Sequence, residues 1–442
     1  MFASIIPILA VCIFLFFLSL MFFLKKDRNK IYIQYILLAY PLIATYILPG
    51  GIGINNFDFI SWVFFLFFYK RKETSIQLGK FYLFLFLVII SVSIVGCVLA
   101  AKLTTESLRY FIEFFAIFIF SKVIIEECIS DPSFFYTVIG CVRSTVLFAL
   151  IFLACQFIFG IQFNINRELN VNVFQDEILR YPGYFQDPQK FGQFLGVSSF
   201  LFLIKKPDEE KIPVKNYILL VLTLIALLYT GGRAASSGWV LGFSLIVLFG
   251  NSKLKLYSIL LAIIMFFIVI NFKDNFAVFN RGDNLSDSYD WRHSIWEEAV
   301  DISSDNFFFG IAPGNYSNYI SVHNPNQSFI VENEVYYYAQ PESGYLKWLC
   351  EFGIFGFISI LLLIITPLIT SFISFLKSRE TTYLLLISPL ICWMVSYYTV
   401  YSVGDIRIQI LITTITCLSI SHYKKNIDIE IQESIKITSS QN

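Results

Sequence analysis

Residues 81 to 100 read FYLFLFLVIISVSIVGCVLA, a run with no formal charge between Lys80 and Lys102. At about 1.5 Å of rise per residue, a helix of that length covers roughly 30 Å, the thickness of the hydrocarbon core of a bilayer. Similar apolar runs lie near 3–24, 31–50, 53–69, 110–125, 135–160, 190–204, 216–231, 233–250, 256–272, 344–376, 383–403 and 406–421. Hydrophobic residues make up 57% of the 442, charged residues only 14%, and Phe alone occurs 49 times. A soluble globular surface needs more charge than that, so the excess apolar side chains face lipid. The expected fold class is all-α: a polytopic integral membrane protein of 12–14 spans with one large outer loop.

The first run, up to Leu24, is too long for a signal-peptide core and is read as a retained helix. Lys and Arg then set the orientation, because basic residues gather in the short loops on the cytoplasmic side. Lys25, Lys26, Arg28 and Lys30 form one such loop, and Lys70, Arg71 and Lys72 the next. Counting alternate sides puts Lys205, Lys206, Lys211, Lys215, Lys253, Lys255, Lys377, Arg379, Lys424 and Lys425 on the same face. The chain then divides into N-terminal helices (1–160), an outer loop (161–189), central helices (190–272), a large outer loop (273–343), C-terminal helices (344–421) and a cytoplasmic tail (422–442). Basic and acidic residues balance at 32 each, without a block of like charge that would point to nucleic acid. The eight cysteines stand singly, and the segments 161–189 and 273–343 hold none. No disulfide staple is expected in either loop, and the thiols are read as small packing groups.

Chemistry is expected in those two outer segments. In the larger one, residues 290–299 (DWRHSIWEEA) have helical spacing with Asp290 near the start. Arg292 shares a face with Ile295, Trp296 and Ala299, while Glu297, Glu298 and Asp301 are assigned to the other side. Arg292 then points at the membrane body; the alternative is an anchor to lipid headgroups. Ahead of the 190–204 run, Asp187 suits a helix cap and Pro188 the first helical position. That places a helix N-terminus beside Arg180 and Lys190, fit for an anion or simply a capped helix.

Thr230-Gly231-Gly232-Arg233 breaks two apolar runs, and Ala234, Gly238 and Gly242 follow as a stripe of small residues that lets helices pack closely. Packing does not account for Arg233, since arginine at membrane depth is costly and faces a polar cavity or a partner. Glu342 stands at the mouth of the helix starting near 344, where partial desolvation raises a carboxyl pKa and makes it a usable base. The alternative is a glutamate favoured by the helix dipole. Lys347 with Glu351, and Arg109 with Glu113, have i, i+4 spacing and are read as structural ion pairs. His293, His323 and His422 share no ligand spacing. Asp283, Asp287 and Asp290 lack the calcium-loop pattern, so no metal site is expected. Nucleotide and nucleophile-elbow motifs are missing.

Four stretches, in this order, resemble the O-antigen polymerase and O-antigen ligase superfamily of bacterial polysaccharide assembly. They are R-x-x-G-x-F-x-D-P-x-x-F from Arg180, T-G-G-R-A-A from Thr230, R-x-x-x-W-x-x-A from Arg292 followed by G-I-A-P-G-N-Y from Gly310, and E-S-G-Y-L from Glu342 followed by E-F-G-I-F-G. The resemblance implies a metal-independent, cofactor-free, inverting glycosyltransferase at the periplasmic face of the bacterial inner membrane. It implies donor and acceptor oligosaccharides linked to undecaprenyl pyrophosphate, with a chain-length regulator as protein partner. It further implies that Arg180, Arg233, Arg292 and Lys190 bind the donor pyrophosphate, and that Arg292 and Glu342 take part in catalysis. Ligases of the superfamily have His-Asn where this chain has Glu342-Ser343, which favours polymerase over transfer of the glycan to lipid A-core. A lipid-linked oligosaccharide flippase ranks lower, since transporters place polar residues near the midplane in repeated halves and no repeat is visible.

Overall fold

A computed structural model describes the chain except residues 1, 49–52, 71–76, 100–103, 166–173, 176–177, 281–284, 324–327, 332–333, 338–339 and 441–442. It also leaves undescribed the side chains of 2–8, 47–48, 77–79, 174–175, 178, 285–291, 328–331, 334–337 and 424–440. Asp283, Arg71 and Lys72 therefore lie outside the described residues, as do the side chains of Asp287 and Asp290.

The bundle begins with α1 (Phe2–Phe23), α2 (Arg28–Leu38), α3 (Asn56–Phe67), α4 (Gln77–Leu99), α5 (Thr105–Ser130) and α6 (Pro132–Phe159). It continues with α7 (Pro188–Ser199), α8 (Val214–Tyr229), α9 (Arg233–Phe249) and α10 (Ser252–Phe272). The large loop contributes α11 (Ala277–Asn280), α12 (Leu285–Asp305) and α13 (Tyr316–His323). The chain closes with α14 (Gly344–Ser378), α15 (Thr381–Tyr397) and α16 (Ile406–Ser440). Strand is confined to three two-stranded hairpins among the described residues. The molecule is an all-α polytopic membrane protein.

Among the described residues, four helices are long and apolar enough to cross a membrane by length and composition: Lys80–Leu99, Pro132–Phe159, Ser252–Asn275 and Gly344–Ser378. Several expected spans are shorter. The run 31–50 yields only α2, because Pro41 forces the chain into a short 3-10 turn, Tyr40–Leu42. The run 190–204 yields α7 and then a 3-10 turn, Phe200–Leu203. Arg143 of α6 satisfies the carbonyls freed there, with Nε 3.0 Å and Nη2 2.7 Å from the Leu201 oxygen and a further bond to that of Ile204. At the other extreme, α16 does not stop at 421 but runs on through the expected tail.

Two ends of the bundle can be told apart. One, the basic end, gathers Lys25, Lys205, Arg379 and the Lys30–Asp131 ion pair at 2.7 Å. There the side chain of His422 lies 2.9 Å from Glu380. The other, the loop end, carries the described residues of 160–187, 230–232, 273–343 and 398–405. Between them α9 and α15 approach backbone to backbone: a Cβ on Gly238 would meet the Cys392 oxygen at 2.3 Å, and one on Gly242 that of Ser388 at 2.5 Å. The expected small-residue stripe does this, with Ala235 rather than Ala234 buried beside it. All eight cysteines are free; six are buried packing groups, but Cys12 is exposed on α1 and Cys155 is half-buried.

The most consequential irregularity lies in α14, which breaks at Gly353 with φ 58°. The freed backbone groups are taken by the large loop: the Ile354 N–H donates to the Phe307 oxygen at 2.8 Å, and the Ile311 N–H to that of Cys350 at 2.9 Å. A Cβ at Gly353 would lie 2.5 Å from the Phe308 carbonyl, and one at Gly310 2.5 Å from the Gly353 nitrogen, so only glycines allow this seam. Ion-paired Glu351, 3.7 Å from Lys347 Nζ, fastens the same segment by accepting from the backbone N–H groups of Gly314 and Tyr316. Gly353→Ala is expected to destabilise the protein by at least about 2 kcal/mol, through left-handed strain and the clash together. Gly140→Ala, where nothing lies within 4 Å, should hold or raise stability. Unfolding temperatures in detergent check the contrast; equal behaviour of the two variants would refute the seam.

Candidate functional site at the loop end

The 180–190 segment is built around α7. Asp187 caps the helix as expected, its carboxylate accepting from the Gln189 N–H at 2.8 Å, with Pro188 in the first turn. Arg180 is wholly buried, and its Nε donates to the Thr230 carbonyl at 2.9 Å. The glycine after Thr230 makes room for it, since a Cβ on Gly231 would lie 2.7 Å from that Nε. The first two motif stretches are therefore one object: Thr230-Gly231 seats Arg180. Two residues on, Arg233 opens α9 and is half-buried. A cation at a helix N-terminus opposes the helix dipole, which favours an anion there instead.

The last two stretches meet in the same way. The helix carrying Arg292 begins at Leu285, earlier than the expected start at Asp290. Ile295, Ala299 and Ile302 bury its apolar face against α14, where Cys350 Sγ donates to the Ala299 oxygen at 3.1 Å. Glu298 is buried with them rather than on the far side, because it follows Ile295 by three residues and shares its face. Arg292 is half-buried on that face and its charge acts on Glu342. This places Arg292 toward the protein body, not toward headgroups.

Glu342 precedes α14 in a left-handed backbone conformation, φ 49°, unusual for a residue with a Cβ and costing about 1–3 kcal/mol. Its carboxylate hydrogen bonds to the Gln340 side chain and lies within the fields of Arg292, Lys190 and Asp187. Burial pushes its pKa above the ordinary 4.5; Arg292 pulls it back, Asp187 adds to the rise, and Lys190 opposes it. The fold therefore brings Glu342, Arg292 and Lys190 together from three separate segments. Arg180 and Arg233 meet at the Thr230–Gly232 turn, which packs on Gly192 of α7.

Asp405 and Arg407 were missed in the sequence. Arg407, at the start of α16, grips Asp405 in bidentate fashion at 2.8 and 2.6 Å and donates to the Tyr184 oxygen at 2.8 Å. Its guanidinium lies 4.1 Å from the Phe185 ring centroid. Asp405 is buried, which raises a carboxyl pKa, but Arg407 and the charge of Lys190 hold it below the ordinary value. The pair thus pins the 182–186 turn between Arg180 and Asp187. The signal that singled out Arg233, an arginine inside an apolar run, applies equally to Arg407.

A cavity of about 480 Å³ lies deeper, among α4, α5, α14, α15 and α16. Arg180, Lys190, Arg233, Arg292, Glu342 and Arg407 all lie outside its lining.

No curated protein matches the chain. Residues 218–361 match the family model described as O-antigen ligase. That stretch, about a third of the chain, runs from α8 into α14 and contains Arg233, Arg292 and Glu342, while Arg180, Lys190 and Arg407 fall outside it. Over that stretch the chain is similar to the O-antigen ligase family, consistent with the O-antigen polymerase and ligase superfamily.

Proposed function

We propose that the protein is a polysaccharide polymerase of the O-antigen type, working at the outer face of the bacterial inner membrane. The matched family implies a glycosyltransferase-like enzyme acting on lipid-linked oligosaccharides. The observation that carries the finer reading is the juxtaposition of Glu342 with Arg292 and Lys190 at the loop end. One carboxylate with a raised pKa faces cations that suit a phosphorylated leaving group.

In this reading Arg180, Arg233, Arg292 and Lys190 hold the pyrophosphate of an undecaprenyl-linked chain. Guanidinium stays charged and binds phosphate oxygens through two parallel bonds. The terminal hydroxyl of a second lipid-linked repeat attacks the anomeric carbon from the face opposite the pyrophosphate. Its proton passes to the Glu342 carboxylate as the new C–O bond forms. The bond from the anomeric carbon to the phosphate oxygen breaks, and undecaprenyl pyrophosphate leaves with the electron pair. The cations stabilise that growing charge, where catalysis gains most. The configuration inverts. Glu342-Ser343, in place of the ligases' His-Asn, supports polymerase over ligase.

A deletion strain tests the biological role. A lost polymerase leaves lipopolysaccharide with one repeat on the core; a lost ligase leaves bare core and accumulated lipid-linked polymer, which would refute the reading.

Variants test the site. Glu342→Gln keeps shape but not basicity, and should cut the rate of polymer formation by about 10²–10⁴ at unchanged thermal stability. Activity of the wild type should rise as pH passes upward through the Glu342 pKa, because the base works deprotonated. The midpoint of that acid limb should lie above the ordinary glutamate value. Arg292→Gln, which removes a charge that lowers this pKa, should move the midpoint to higher pH. Arg180→Lys and Arg292→Lys should lengthen few chains, since charge remains but the planar fork is lost. A stable Glu342→Gln protein within a few-fold of wild type would eliminate the base, and full activity in both Lys variants would eliminate the pyrophosphate contacts.

A further inference from the structure

The proposed chemistry leaves the deep cavity unused. α4 packs chiefly on α14 and α5 chiefly on α16, and the cavity is the cleft between these pairs. From Tyr110 to Ile129 its lining follows α5 for about 28 Å, at roughly 1.5 Å per residue. Apart from three charged side chains and a few hydroxyl, thiol and amide groups, that lining is aliphatic and aromatic. Solvent has little reason to fill such a space, whereas alkyl chains do.

Charge tells the two ends of the cleft apart. Its charged lining residues are Lys80, Lys122 and Glu126, all toward the basic end. Glu126 is engaged by the Tyr69 hydroxyl at 2.9 Å. Lys122 Nζ stands 3.9 Å from Glu126 with its side chain 40% exposed, and Lys80 is exposed. At the loop end the lining is uncharged. Tyr110 and Tyr401 hydrogen bond across it at 2.7 Å, and the Gly314 turn packs on Tyr110. An occupant entering at the loop end would meet this bridge, where the Lys347 ammonium, 4.3 Å from the Tyr401 ring centroid, is already paired with Glu351. One entering at the basic end finds two ammonium groups at the mouth, Lys80 and the Glu126-paired Lys122, and apolar walls beyond.

We infer that this cleft is a binding site for an anionic phospholipid from the leaflet at the basic end. Its phosphate lies at Lys80 and Lys122, and its acyl chains run along α5 toward the Tyr110–Tyr401 bridge. The site is separate from the arginine cluster and does not depend on the glycosyl-transfer reading. Filling the cleft joins α4·α14 to α5·α16 and supports the helix that carries the Gly353 break.

Trp348 and Trp393 line the cleft and report on its contents. Full-length protein, stripped of lipid in detergent, is titrated with phosphatidylglycerol or phosphatidylcholine brominated in the acyl chains, which quench nearby tryptophan. Phosphatidylglycerol should quench saturably and at about ten- to thirtyfold lower concentration, as expected for two lysines at about 1 kcal/mol each. Lys80→Gln with Lys122→Gln should abolish that preference without lowering the unfolding temperature of the lipid-free protein. Trp348→Phe with Trp393→Phe should remove most of the quenching. Equal quenching by both lipids, an unchanged preference in the Gln variant, or quenching that survives loss of both tryptophans would overturn the proposal. So would displacement of the brominated lipid by undecaprenyl phosphate at concentrations where unlabelled phosphatidylglycerol fails, which would make the cleft a carrier site. Should the Gln variant unfold, the wild-type comparison of the two lipids and the tryptophan variant decide the matter.

Discussion

Lipid offers no hydrogen bonds, so a helix broken inside an apolar bundle must have its freed amides and carbonyls satisfied by protein. In this chain the break at Gly353 is satisfied by backbone from the large loop, through Phe307, Ile311, Cys350 and Ile354. Much of the loop end depends on that exchange. Once 307–311 is paired with α14, α12 is held against Cys350 through Ala299 and Ser303. Held there, α12 turns Arg292 toward Glu342. The glycines of G-I-A-P-G-N-Y and E-F-G-I-F-G thus belong to one construction, in which the large loop is a part of the membrane body.

The electrostatics of the site rest on a second construction. Arg180 is buried completely, yet the Thr230 carbonyl receives its Nε and Gly231 leaves it room. Arg407 and Asp405 neutralise each other while fixing the turn that leads from Arg180 to α7. Lys190 and Arg292 act on the one carboxylate held in a left-handed backbone, Glu342. Charges held this way lose hydration and interact more strongly than at an open surface. Such an arrangement favours a ligand that brings negative charge, and it raises the basicity of Glu342 by burial while Arg292 and Lys190 restrain the rise.

The fold class was legible because apolar length and charge scarcity suffice for it. The half-length elements were not: Pro41 truncating α2, and Arg143 capping a 3-10 turn after α7, are tertiary solutions that hydropathy does not register. The candidate site was legible as four fragments in order: Arg180 and Lys190 beside a helix start, Arg233 at a break between apolar runs, Arg292 on an apolar helix face and Glu342 at a helix mouth. Their pairing was hidden. Nothing in the spacing shows that Gly231 exists for Arg180 or Gly353 for Phe308. The side assigned to Glu298 was wrong because a charged residue was put outward by type, although its spacing from Ile295 turns it inward. Arg407 was passed over as part of a span, though an arginine in an apolar run is itself a signal.

The proposed function requires one active site that joins two lipid-linked repeats. Its most direct test is reconstitution of the purified protein in vesicles with a single substrate, the undecaprenyl-pyrophosphate-linked repeat. Chains of two or more repeats, formed with release of undecaprenyl pyrophosphate and without lipid A-core, are the predicted result. Products that form only when lipid A-core is supplied would contradict it.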